Sequence, residues 1–260
     1  MVESKLIKVK KEHKAAILTL DHPPVNALSP ALLEELKGHL DALENDNDAQ
    51  VIIITGAGSY AFCAGADVKE LQNFGPQQAE KLVSLGHSTF GRIATYPKPV
   101  IGAINNLTLG GGMELALACD LRISSDRARY GQPEVWLGLI PAWGGSTRLS
   151  RLIGVARAKE LIFTGRRVGA EEAREIGLVN RVVPQGEALK VAREIAAEIA
   201  ANAPLAVRHA KSATNRAMDV DLVSGLEYEA DQFALLFATE DAREGMGAFA
   251  ERRKPEFKGQ

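Results

Sequence analysis

The spacing of apolar positions changes repeatedly along the chain, and each change marks an element. Leu6 to Lys10 and Ala15 to Leu20 alternate or run apolar around the charged turn Lys-Lys-Glu-His-Lys, which predicts a β-hairpin. Asp21 to Leu28 is broken by its prolines. Ser29-Pro30 reads as a helix start, and Leu32, Leu33, Leu36, Leu40 and Leu43 then fall on one helical face. Val51 to Thr55 is a β-branched run, the signature of a strand buried on both faces. Val83 to Ile93 is amphipathic at helical period, and Val100 to Asn105 is another buried strand. Asn106 to Asp120 carries three glycines into an apolar helix, and Leu121 to Ser124 is again a strand. Short strand, glycine turn, helix, repeated: the pattern predicts an α/β protein with mostly parallel strands.

Two glycine-rich segments interrupt this order. Gly56, Gly58 and Ala61 fit the form of a dinucleotide fingerprint after a strand. The segment stays irregular through Phe62 and Cys63, however, and the next helical pattern begins near Asp67, so the context that motif needs is missing. Gly131 to Ser146 holds too many glycines and prolines for regular structure, and a loop of that length is usually functional. From Val155 the chain is mostly helical (156–163, 170–176, 187–201), with a brief strand-like stretch at Leu178 to Pro184. Helices are expected at 205–218, at 222–237 and, behind an N-cap at Thr239, at 240–252. A composition shift near residue 200 divides the chain into a core over 1–200 and a C-terminal helical region over 201–260.

Composition narrows the function classes. Hydrophobic residues at 46% and charged residues at 25% are ordinary for a globular enzyme. A net charge of -2 offers no electrostatic case for nucleic acid or an anionic membrane as partner. No apolar run is long enough to span a bilayer, and the N-terminus lacks the apolar core of a signal peptide, which makes the cytoplasm the expected location. Cys63 and Cys119 sit among small apolar residues and read as buried thiols.

Candidate chemistry gathers in the glycine segments. The run Gly110, Gly111, Gly112 opens a helix with Glu114 in its first turn. Taken alone, this is equally a site for a developing oxyanion and an ordinary turn with a solvated glutamate. A turn at Ala64-Gly65-Ala66-Asp67 offers a second exposed N–H, so Ala66 and Gly111 could grip one carbonyl oxygen from two sides. Glu114 and Glu134 supply a carboxylate pair. The helix N-terminus is expected to keep Glu114 ionised, as suits a base, and apolar neighbours to keep Glu134 protonated, as suits an acid. Without context, Glu134 would read as a solvated loop residue. The five histidines lie outside the glycine loops, no G-x-S-x-G elbow exists, and no ligand spacing suggests a metal.

The segments P-P-V-N-A-L, F-C-A-G-A-D-V-K-E-L, L-G-G-G-M-E-L-A-L-A-C-D, G-Q-P-E-V-W-L-G-L-I-P and F-A-T-E-D-A-R-E-G-M-G-A-F-A-E-R-R-K-P-E-F, in this order, resemble the crotonase (enoyl-CoA hydratase/isomerase) superfamily. The resemblance implies a spiral of ββα turns with a C-terminal helical region that forms trimers or paired trimers. It implies that Ala66 and Gly111 donate to the oxyanion, that Glu114 activates water and that Glu134 gives the proton to Cα. It places Val25, Ala27, Ala64 and Lys69 beside coenzyme A, with Arg252 reaching a neighbouring subunit's coenzyme. On residue type alone, Lys69 and Arg252 also read as solvated charges. The implied activity is hydration of a 2-trans-enoyl-CoA without metal or redox cofactor, coenzyme A being part of the substrate. The alternatives are a Δ3,Δ2-enoyl-CoA isomerase or another acyl-CoA lyase and, from another class, a non-catalytic acyl-CoA or RNA-binding protein. Ala142 replaces the usual glycine of the pattern and Trp143 a small residue beside it; a tryptophan there either narrows or reshapes the acyl pocket or packs as core.

Overall fold

A computed structural model describes residues 6–260. The hairpin forms as expected: β1 (Ile7–Glu12) pairs antiparallel with β2 (Ala15–Leu20), Ile7 opposite Leu20. Helix α1 (Pro30–Glu44) is capped by Ser29, whose Oγ accepts from Leu32 N–H at 3.3 Å, and it buries the five leucines named above.

Three passes of the chain then repeat one plan. In the first, β3 (Val51–Gly56) leads to β4 (Ala61–Cys63), then to α2 (Val68–Leu71) and α3 (Pro76–Ala94). In the second, β5 (Val100–Ile104) leads to β6 (Leu107–Leu109) and α4 (Gly111–Ala118). In the third, β7 (Leu121–Ser125) leads to β8 (Arg129–Gly131), a short 3₁₀ helix (Pro133–Leu137), α5 (Gly145–Ile153) and α6 (Val155–Thr164). The first strand of each pass joins a six-stranded sheet and the second a four-stranded sheet. The chain is therefore wound as a spiral of ββα turns. β9 (Val168–Gly169), α7 (Ala170–Glu175), β10 (Arg181–Val183) and α8 (Ala188–Ala200) close it.

The six-stranded sheet runs β1-β2-β3-β5-β7-β10, parallel from β2 onward. Side chains alternate across it. Ile52 and Ile54 enter the main core with α1, α3 and α4, whereas Val51 and Ile53 pack with Ile101, Ala103 and Ile123 under Ala192 and Ile195 of α8. Both faces of β3 are covered, which is why its sequence is uninterrupted Val and Ile. In the four-stranded sheet, β4-β6-β8-β9, the first three strands are parallel.

The second sheet corrects the sequence reading. Phe62 and Cys63 are strand, not irregular chain, and β8, β9 and α5 were not anticipated. Strands of two or three residues are too short to show a period, so only the parallel ladder reveals them. Helix α3 also starts earlier than its apolar pattern, at Pro76 rather than Val83, behind the cap of Gly75. Beyond α8 come α9 (Pro204–Ala217), α10 (Leu222–Leu236) and α11 (Glu240–Glu251), the last capped by Thr239 Oγ1 at 3.1 Å from Ala242 N–H. Lys211 of α9 joins this region to the spiral through Asp120 at 2.7 Å and the carbonyl of Lys98 at 3.2 Å.

Candidate active site

The second sheet brings the glycine turns together. Helix α4 runs so close to β4 that a Cβ on Gly112 would overlap the carbonyl oxygen of Cys63. Glycine there is required by the approach itself. Gly65, with φ of +96°, turns the chain after β4 so that its Cβ position would lie 3.5 Å from the backbone nitrogen of Gly111. Ala66 follows. Its neighbours make the parallel bridge to Leu28: Leu28 N–H donates to Gly65 O at 2.8 Å, and Asp67 N–H donates to Leu28 O at 3.3 Å. That arrangement turns the Ala66 N–H away from Leu28. Gly111 is the first residue of α4, so its N–H has no intrahelical acceptor. The two N–H groups expected from the sequence thus belong to two adjoining turns.

Glu114 is 2% exposed. Its Oε1 accepts from Trp143 N–H at 2.6 Å and from Gly145 N–H at 2.7 Å. Gly145 opens α5, so the carboxylate rests on the N-terminus of α5. Its own helix does not hold it. The expectation that helix α4 keeps Glu114 ionised is corrected: burial dominates and pushes the group up to about 7, against the two N–H donors and the positive charge of Arg148. Glu134 is half-buried in the 3₁₀ helix and is also pushed up to about 7, by burial first and by the nearby Glu114 charge in addition.

The two carboxylates meet at one cleft. A Cβ on Gly110 would lie 3.0 Å from Glu134 Oε1, and one on Gly145 would lie 2.9 Å from Glu114 Oε1. Fully buried Gln132 is set beside both, since its carboxamide borders the same Gly145 position and one end lies 2.9 and 3.2 Å from the Glu134 oxygens. A carboxamide serves either protonation state of Glu134, donating N–H to the carboxylate or accepting the proton of the acid. Sequence reasoning passed over Gln132, although two residues before a candidate acid is a natural place to look.

Trp143 is 5% exposed and belongs to the core. Its ring is wedged between α3 and α4, edge-on to Phe90 with centroids 5.7 Å apart. A Cβ on Gly111 would lie 2.5 Å from its Cζ3, and one on Gly86 would overlap its indole. The indole is thus a packed wall behind Gly111, not a side chain free in an open pocket. Ala142, half-buried, precedes it.

The remaining expected positions divide. Val25, Ala27 and Ala64 come together: Ala64 N–H donates to Val25 O at 3.0 Å, and the Ala27 carbonyl lies 2.7 Å from His22 Nδ1. Lys69 lies in α2, and its side chain is outside the described residues. Arg252 is the exposed, left-handed cap of α11, which is not among the elements that meet at the glutamates. Among the described residues no cluster of three His, Cys, Asp or Glu side chains could hold a metal, and no helix is long and apolar enough to cross a membrane.

A spiral of ββα turns with one buried and one half-buried glutamate over adjoining glycine turns defines a class that comparison with known proteins makes explicit. The enoyl-CoA hydratase/isomerase family model matches residues 10–260. A short-chain-enoyl-CoA hydratase of Clostridium acetobutylicum is 45% identical, with 95% of each chain covered. A crotonyl-CoA hydratase of Syntrophomonas wolfei is 44% identical, with 96% of each covered. The crystal structure of an enoyl-CoA hydratase from Bacillus anthracis superposes with a TM-score of 0.95 at 45% identity, covering 98% of this chain and 100% of that one. The chain belongs to the enoyl-CoA hydratase/isomerase (crotonase) family.

Proposed function

We propose that this protein is an enoyl-CoA hydratase, adding water across the 2-trans double bond of an enoyl-CoA to give 3-hydroxyacyl-CoA. The observation that carries the reading is the pair of carboxylates, Glu114 and Glu134, held beside one cleft with both groups near neutrality. Addition of water to a conjugated thioester needs a base and an acid together. An isomerase moving one proton needs a single carboxylate.

In this reading Ala66 and Gly111 direct their N–H groups at the thioester oxygen. Glu114 takes a proton from water as the water oxygen bonds to C3, and the π electrons move onto that thioester oxygen as an enolate. The enolate collapses by taking the Glu134 proton at Cα. The thioester is its own electron sink, so the chemistry asks for no metal or redox cofactor. Val25, Ala27 and Ala64 offer backbone groups to coenzyme A, Lys69 and a neighbouring subunit's Arg252 offer charge, and Ala142 and Trp143 bound the acyl end. The substrate class in this reading is a short acyl chain, in keeping with the similarity to a short-chain-enoyl-CoA hydratase and a crotonyl-CoA hydratase. The cytoplasm is the location in this reading, and a trimer or pair of trimers is the assembly.

The test is loss of crotonyl-CoA absorbance. Glu114→Gln and Glu134→Gln are each expected to lower kcat by about 10²- to 10⁴-fold. A parent that hydrates no chain length overturns the activity, and full rate in Glu114→Gln overturns its role. The kcat/KM profile of the parent is expected to peak near neutral pH. Glu114 must be ionised and Glu134 protonated, so the acid limb belongs to the first and the basic limb to the second, and Glu134→Gln removes the basic limb.

A further inference from the structure

The turn Trp143-Gly144-Gly145 has two occupied sides. On the inner side, the N–H groups of Trp143 and Gly145 converge on Glu114 Oε1. On the outer side stands Arg148. Its Nη1 donates to the carbonyl of Trp143 at 2.9 Å, and its backbone N–H donates to the carbonyl of Gly144 at 2.7 Å. The guanidinium lies close against Gly144, so a Cβ there would overlap Nη1. Gly144 itself is held at φ of +113°. The Arg148 side chain therefore grips the Trp143 carbonyl of the turn whose two N–H groups grip the carboxylate, while its backbone N–H makes the ordinary i→i−4 bond of α5.

Its position is otherwise unfavourable. A cation in the first turns of a helix opposes the helix dipole, and Arg148 stands at the start of α5. It is half-buried, which costs a charged group hydration and here lowers its own pKa. Both disadvantages are answered by Glu114, whose negative charge acts on Arg148 in return. The charged and titratable groups facing Glu114 are Arg148 from α5 and Glu134 from the 3₁₀ helix. Helix α3 brings His87 to the cavity of about 830 Å³ that Arg148 lines, and the other charges of that cavity are Asp120 and Arg122 beyond the far end of α4, Arg151 in the last turn of α5, and Lys211 and Asp219 in and after α9. Of these, only Arg148 is a cation acting on Glu114.

We infer that Arg148 is a positioning residue for Glu114: it clamps the Trp143–Gly145 turn from outside and keeps the water-activating carboxylate seated and ionisable. The role rests on the hydratase reading above. Three variants test it by hydration kinetics across pH. Arg148→Met is expected to lower kcat by about 10- to 100-fold with KM little changed, since misplacement of a reacting group on this scale costs that much. Its acid limb moves to higher pH, because Glu114 loses a favourable charge. Arg148→Lys restores the limb position. Arg148→Gln keeps a donor without the charge and restores rate more than limb position.

A second measurement needs no activity. The part of the fall in Tm from pH 5 to pH 8 that Glu114→Gln removes reports the burial of ionised Glu114, Glu134 supplying the rest. Arg148→Met steepens that fall, and it does so only where Glu114 is present. An unchanged acid limb and an unchanged Tm slope in folded Arg148→Met overturn the inference. So does an equal loss of rate on adding Arg148→Met to the parent and to Glu114→Gln, which would show the two acting independently. Should Arg148→Met not fold, Arg148→Lys and Arg148→Gln are compared on the same readouts. A parent without hydratase activity would fail the functional reading alone, because the Tm slopes still decide whether Arg148 supports Glu114.

Discussion

Glu114 and Glu134 are carried in the fold with their protonated forms favoured, and this has a consequence for stability. In the unfolded chain both titrate near 4.5, and in the folded protein near 7. Between those values the folded protein holds more protons than the unfolded one, so stability falls as pH rises through that window. Below pH 4.5 both states are protonated and the difference vanishes. Glu114→Gln is therefore expected to raise Tm relative to the parent at pH 8 and to gain much less at pH 5, measured by calorimetry. The residue types of this pair were legible in the sequence, and so was the direction for Glu134. The direction for Glu114 was not. A helix N-terminus visible in the sequence suggested an ionised group, but burial in the folded core outweighs it, even against the N–H donors of Trp143 and Gly145, which only the fold brings near.

Among the elements, the long ones announced themselves. Helix α1 has its leucine stripe and Ser29 cap, and β3 its run of Val and Ile. The short strands β4, β6 and β8 did not, although they place the glycine turns, because their pairing partners are distant in sequence. Helix α5 was hidden for another reason: it opens with glycines, whose use here is to let Glu114 approach, and its Arg148 runs against the usual charge of a first turn. That misfit was the available signal. The packing of α3 on α4 gives a sharp expectation. Gly86→Ala would drive a methyl group into the Trp143 indole and should cost about 1 to 3 kcal/mol by urea unfolding. Adding Trp143→Phe, which returns space, should recover part of that loss.

At the scale of the whole molecule, the C-terminal helices are fastened to the spiral by few polar contacts. Lys211 and Asp120 have side chains 10% and 23% exposed, and the same Asp120 oxygen accepts the Val100 N–H. Lys211→Met strips a mostly buried carboxylate of its cation and is expected to destabilise the protein by about 3 kcal/mol in chemical denaturation. Elsewhere on α10 and α11, Leu222, Val223, Phe233 and Phe249 are more than half exposed. Patches of this kind mark association sites, in keeping with the proposed trimer. Sedimentation is expected to give three or six times 27.9 kDa, and Leu222→Asp with Phe233→Asp should lower that mass.

One further consequence follows from where the ligands of Glu114 come from. The carboxylate belongs to the second pass of the spiral, and everything that seats it belongs to the third. Glu114 and the N–H groups that seat it come from segments 29 and 31 residues apart, on successive coils of the spiral, so the carboxylate has its seat only once the two coils are stacked.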